Sequence, residues 1–307
     1  MNDNPKTVSG VLPVFQTPFH DDDSIDEETL EREIEWLFEH GADGIAMAMV
    51  SEILRLSSAE RETLARRACE CARGRGPVVV SVGAESTHTA VAFARHAESC
   101  GADALMAIPP VATSASGKEL AGYYESLLAA VGLPVIVQDA SGYVGEPMSI
   151  EFQAALLDRF GPERVWFKPE AVPIGPRLSQ LRDATNGRAR IFEGTGGIAL
   201  VDSYRRGIAG TIPGADLIRA IVPLWKALQK GDLDRASRIH GPLAALVSLQ
   251  TSLDGFLAVE KHLLVRQGVF RNERVRGPRG FVLDPETRGE VDRLFDLTMK
   301  AAEEESA

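Results

Sequence analysis

Eight short apolar runs, rich in branched residues, alternate with longer segments of helical period through the first 215 residues. The runs are GVLPVF (10–15), DGIAMAM (43–49), PVVVSVG (77–83), DALMAIP (103–109), LPVIVQD (133–139), RVWFK (164–168), ARIFEG (189–194) and IAGTIPG (208–214). A helix between two strands carries the chain back over the sheet, so such alternation implies parallel pairing. About eight β-then-α units fit an α/β fold of the closed TIM-barrel type, (β/α)8. A doubly wound open sheet is the main alternative, weakened because no G-x-G-x-x-G follows the first run.

The intervening segments carry helix signals. In 24–41, Ser24 is the expected N-cap, Gly41 the expected stop, and Leu30, Ile34 and Leu37 share one face. Segments 57–74, 86–101 and 117–132 repeat the pattern. The second and fourth runs open alike, as HGADGI and CGADAL, which suggests one structural unit reused. Beyond residue 215 the strand signal stops, and three helical stretches precede a basic Pro/Gly-bearing loop and a last helix. No low-complexity linker intervenes. The expected organisation is a barrel over 1–215 with a helical extension over 216–307 packed on it.

A net charge of −11 without a basic patch argues against a nucleic-acid partner. The clusters RETLARR and RVRGPRG are expected to be solvated surface. Three cysteines (Cys69, Cys71, Cys100) do not make a disulfide scaffold, and cytosolic thiols are the favoured reading. The N-terminus has no apolar signal core and no run is long enough to cross a bilayer, so a cytoplasmic protein without a membrane partner is expected. The six histidines show no ligand spacing, and no metal is expected.

In a barrel, chemistry sits at the C-terminal ends of the strands. That rule selects Thr17, residues 49–52, residues 83–85, Pro109 and Pro110, Gln138 and Asp139, Lys168 with Glu170, residues 193–197 and residues 211–214. Lys168 is the only lysine at such a position. In an apolar barrel mouth its amine would be partly neutral and nucleophilic, able to form an imine with a ketone. From the residues alone, a reactive amine and a paired structural lysine both stand.

Order and spacing resemble the dihydrodipicolinate synthase / N-acetylneuraminate lyase superfamily over nearly the whole chain. The similar blocks are GVLPVFQTPFHDDDSID, GADGIAMAMVSEILRLSSAER, PVVVSVGAESTHTAVAFARHAESCGADALMAIPP, and the lysine strand followed by FEGTGG. The resemblance implies that Lys168 forms an imine with a small 2-oxo acid, that no cofactor is needed, and that the protein is a homotetramer built from tight dimers. Two departures matter. The Gly-Thr-Thr-Gly-Glu segment of most members is here Ala48-Met49-Val50-Ser51-Glu52, without threonines. The strand-5 tyrosine is replaced by Gln138 and Asp139, and Tyr143 is expected to serve packing. Both departures are shared with a branch that the sequence is similar to, the 2-keto-3-deoxy-L-arabonate dehydratases, which also carry an FK-x-E pattern like Phe167-Lys168-Pro169-Glu170.

The resemblance therefore implies imine-assisted dehydration of a 2-keto-3-deoxy sugar acid. Glu170, Asp139 and Glu52 are candidates for moving protons, each with a structural alternative, and Gln138 for donating to a substrate hydroxyl. Ser51 with the amides of Met49 and Val50 is the expected carboxylate site. Pro109, Glu193, Gly194, Thr211 and Ile212 are expected pocket residues; the EGTGG turn could equally be a tight turn before a helix. A pyruvate-dependent aldolase or synthase of the same superfamily, and a non-catalytic acid-binding barrel, are the rival readings.

Overall fold

The structure, a computed structural model, describes residues 8–113, 115, 117–142 and 145–304. Its sheet contains β1 (Gly10–Val11), β2 (Ile45–Ala46), β3 (Val78–Ser81), β4 (Ala104–Ala107), β5 (Val135–Asp139), β6 (Val165–Pro169), β7 (Arg190–Glu193) and β8 (Gly210–Thr211). All neighbours pair in parallel, and β1 lies beside β8. The ring closes between β1 and β2: Phe15 N donates to Ala46 O at 3.2 Å and Ala46 N to Pro13 O at 2.9 Å. Closure leaves no unpaired edge among the described strands.

Each expected strand is present, but the outermost ladders are short. Pro13 and Pro213 cannot donate, so β1 and β8 stop after two residues although bonding resumes beyond them, as from Val14 N to Pro213 O at 2.7 Å.

A helix follows every strand: α1 (Glu27–Glu39), α2 (Ser58–Cys71), α3 (Thr87–Ser99), α4 (Gly117–Ala130), α5 (Ile150–Phe160), α6 (Ile174–Ala184), α7 (Leu200–Arg205) and α8 (Ile218–Lys230). Leu30, Ile34 and Leu37 of α1 are buried, and Gly41 follows the helix at φ +88°. Its N-cap is Asp26, not Ser24. The Asp26 carboxylate accepts from Thr29 N at 3.0 Å, whereas the Ser24 hydroxyl is spent on Asp22 at 2.6 Å in the preceding turn. The basic clusters are not simply solvated either. Arg61 is buried over the Phe93 ring and donates to Gly83 O at 3.0 Å, and Arg276 is held by Glu60. Removing a guanidinium from water requires such partners.

The core has two layers. Leu12, Val14, Ala46, Val79, Met106, Ile136, Trp166 and Phe192 fill the inside of the ring. Val80, Leu105, Val135, Val137, Val165 and Phe167 pack outward against the helices. Successive side chains on a strand alternate between these layers.

After α8 come α9 (Leu233–Val247), α10 (Leu253–Arg266) and α11 (Pro285–Glu303). Helix α8 packs on β1 as the eighth outer helix, and α10 packs on the 3-10 turn Met49–Ser51 at the strands' C-terminal rim.

Candidate active site

Period two along the sixth strand assigns its faces. Val165 and Phe167 face the helices, Trp166 fills the ring below, and Lys168 comes next on that inner face, at the rim. Glu170 continues the phase. Register places Gln138 beside Lys168. The result is a buried triad: Lys168 Nζ donates to Glu170 Oε1 at 2.7 Å, and Gln138 Nε2 donates to Glu170 Oε2 at 2.7 Å. Exposure is 3% for Lys168, 4% for Glu170 and 2% for Gln138. Burial pushes the Glu170 carboxyl up, opposed by the Lys168 ammonium and its hydrogen bond.

Gly194 is what makes room for the amine. A Cβ there would lie 2.5 Å from Lys168 Cε and Nζ. The amine borders a small cleft of about 40 Å³. Met49, Val50, Gln138, Lys168, Glu170, Gly194 and Ile212 line it, together with Val14, Ala48, Gly196, Pro213, Gly214, Leu253, Phe256 and Glu260.

The remaining expected residues are elsewhere or engaged. Asp139 sits one residue out of phase with Gln138, so it turns away from the ring. Its carboxylate accepts from the Ser141 hydroxyl at 2.6 Å and Met148 N at 3.0 Å, with Arg177 at 3.7 Å. Ser51 does not offer a hydroxyl to the cleft, because that group donates to Phe15 O at 2.6 Å. Glu52 is fully engaged by Lys261 Nζ and by Arg276 N at 3.2 Å. Glu193 binds its own turn through Thr195 N at 2.7 Å, and it holds the Thr211 hydroxyl at 2.6 Å. Both therefore build the cleft wall from behind. Pro109 lines a neighbouring cavity with Met148 and Phe152 instead. Tyr143 lies outside the described residues.

Sequence reasoning missed the contribution of α10. Leu253, Phe256 and Glu260 recur at helical spacing and all reach the cleft, a signal masked because the helix buries most of its circumference, Glu260, Lys261 and His262 included. It also missed Gln16, fully buried behind Glu260. Among the described residues no cluster of three His, Cys, Asp or Glu is placed to hold a metal ion, and no helix is long and apolar enough to cross a membrane.

Comparison with known proteins agrees with this architecture. A relative from Azospirillum brasilense, described as L-2-keto-3-deoxyarabonate dehydratase, is 28% identical over 290 residues, 92% of each chain. One from Escherichia coli K12, described as a probable 2-dehydro-3-deoxy-D-pentonate aldolase, is 32% identical over 261 residues, 84% of this chain and 86% of the other. The crystal structure of dihydrodipicolinate synthase from Rhodopseudomonas palustris superposes with a TM-score of 0.85 at 25% identity, over 94% of this chain and 97% of that one. The sequence profile of the Dihydrodipicolinate synthetase family matches residues 7–295. That match runs from the first strand into the last helix, and the chain belongs to the dihydrodipicolinate synthetase family.

Proposed function

We propose that this chain is a Schiff-base lyase that removes water from a 2-keto-3-deoxy sugar acid. The observation that carries the reading is the 2.7 Å contact between Lys168 Nζ and Glu170 Oε1, buried at the edge of a cleft. Passing one proton across that contact turns a buried ion pair into a neutral amine and a neutral acid, which removes two charges from a poorly solvated site. The raised carboxyl of Glu170 favours that exchange.

The neutral amine adds to the C2 ketone. Glu170 protonates the departing carbinolamine oxygen, water leaves, and an iminium forms. Glu170, now a carboxylate, takes the acidified C3 proton to give the enamine. The nitrogen lone pair then re-forms the iminium, the former C2=C3 pair becomes C3=C4, and the C4 oxygen departs as it gains a proton. Hydrolysis returns Lys168 and releases the 2-oxo product. Gln138 steadies Glu170, and its Oε1, without a partner among the described residues, is left to accept from a substrate hydroxyl. The amides of Met49 and Val50 open the 3-10 turn, have no acceptor inside it, and suit the substrate carboxylate. No tyrosine among the described residues lines the cleft, which favours dehydration over an aldol reaction relayed by a phenol. The name of the Azospirillum relative supports the same class.

Borohydride with pyruvate should leave a stable mass increase on Lys168, and L-2-keto-3-deoxyarabonate should lose one water. Lys168→Ala should do neither, and Glu170→Gln should slow turnover by about 10²–10⁴. Unmodified protein at saturating pyruvate would overturn the imine. A second reading, aldol cleavage, is favoured by the 32% identity to the Escherichia coli relative. Release of pyruvate from the same substrates, with no loss of water, would establish it.

A further inference from the structure

Dehydration needs two proton transfers, one from C3 and one to the C4 oxygen. Glu170 is beside the amine, where C2 and C3 are held. Asp139 and Glu52 are turned away and engaged. Among the described residues, the other carboxyl lining the cleft is Glu260, on α10.

Glu260 is not an ordinary surface acid. It is 2% exposed, and the Gln16 side-chain amide donates to its Oε2. Its Oε1 lies against Gly214, where a Cβ would come within 2.6 Å of it and within 2.8 Å of Asp216 Oδ1. Gly214 itself lines the cleft, so the missing side chain leaves this edge of the carboxyl open to a ligand. Behind it, Glu33 accepts from Gln16 N at 2.8 Å. Glu33, Glu260 and Asp216 are thus three buried carboxyls in one group. The cation facing them, Lys261, is already held by Glu52, by Thr17 O at 2.8 Å and by Arg274 O at 2.6 Å. Glu33 Oε2, Gln16 Oε1 and Asp216 Oδ2 have no partner among the described residues. Three buried carboxylates without a dedicated cation cannot all stay ionised. Protons in the group relieve the repulsion and give unpartnered acceptors a donor. Burial and the neighbouring Asp216 push the Glu260 carboxyl well up.

We propose that Glu260 is the general acid of the reaction: it enters the cycle protonated and gives that proton to the hydroxyl leaving C4. The inference rests on the dehydratase reading above. The C4–O bond breaks with its electron pair on oxygen, the proton comes from Glu260 Oε1, and water departs. The carboxylate that remains is reprotonated from solvent when product leaves. Gln16 and Asp216 act as positioning residues, holding one oxygen and keeping the other protonated.

The test compares Glu260→Gln with wild type on L-2-keto-3-deoxyarabonate and on its counterpart with chlorine in place of the C4 hydroxyl. Chloride leaves without a proton. The variant should trap pyruvate on Lys168 as wild type does and should exchange C3 protons with deuterated water. It should dehydrate the hydroxy acid about 10²–10⁴ more slowly, yet release chloride at the wild-type rate. Dehydration within about threefold of wild type would overturn the proposal, as would equal loss on both substrates. Failure of wild type to trap pyruvate or release water would instead overturn the dehydratase reading, so the two failures are distinct. Should Glu260→Gln not fold, as judged by its thermal transition, Glu260→Asp keeps a proton but draws it back from the cleft, and the same contrast between substrates applies.

Discussion

Lys168 holds its position through residues that make room for it as much as through those that bind it. Gly194 has no catalytic atom, yet a Cβ there would fall 2.5 Å from the lysine tip. The lysine end is flexible, so Gly194→Ala should displace the amine from Glu170 rather than unfold the chain. The expected outcome is a thermal midpoint within a few degrees of wild type with imine trapping largely lost. A variant that traps pyruvate normally would show the close approach to be unimportant. Lys168, Glu170 and Gly194 were legible in the sequence because a strand tip and a Gly-bearing turn announce themselves locally. The sequence reading took Gln138 and Asp139 together, although period two sends neighbouring side chains to opposite faces. The engagement of Ser51 by Phe15 O was not legible, because residues 36 positions apart meet only in the closed ring.

At the level of the element, α10 does two jobs on adjacent residues. One step along a helix turns a side chain by about 100°, so Glu260 reaches the cleft while Lys261 reaches Glu52. In sequence an adjacent Glu and Lys on a helix read as a solvated pair. Here both are buried, and Lys261 ties α10 to the loop after β2 through Glu52 and to the loop after β1 through Thr17 O at 2.8 Å and over the Phe19 ring at 4.6 Å. Removing one partner of such a pair leaves an uncompensated buried charge. Lys261→Met should therefore cost roughly 3–5 kcal/mol, read from urea unfolding. A loss under about 1 kcal/mol would mean that Glu52 finds another partner or takes up a proton.

For the whole molecule, the group of buried acids makes stability depend on pH in an unusual direction. Asp216 is raised by burial to about 7, and Glu33 and Glu260 are raised well above the ordinary range. Between the unfolded value near 4 and the folded value, the native state binds more protons than the unfolded chain, so stability falls as pH rises. Glu60, held near 2 by Arg276, acts oppositely: its contribution is present above the unfolded value and lost as pH falls toward 2. The urea midpoint should thus decline from about pH 4.5 to pH 7.5, and Asp216→Asn should flatten that decline. An unchanged slope in the variant would remove Asp216 from the account. By itself, the sequence determined the parallel ring and the lysine at its rim, because strand alternation, helix stops and strand-end position are local properties of the chain. Tertiary structure alone decided which acids face the cleft and which are engaged behind it, and it brought Glu260 to Gln16 across 244 residues. A carboxyl's role depends on its neighbours in space, and ring closure together with the docking of α10 chooses them.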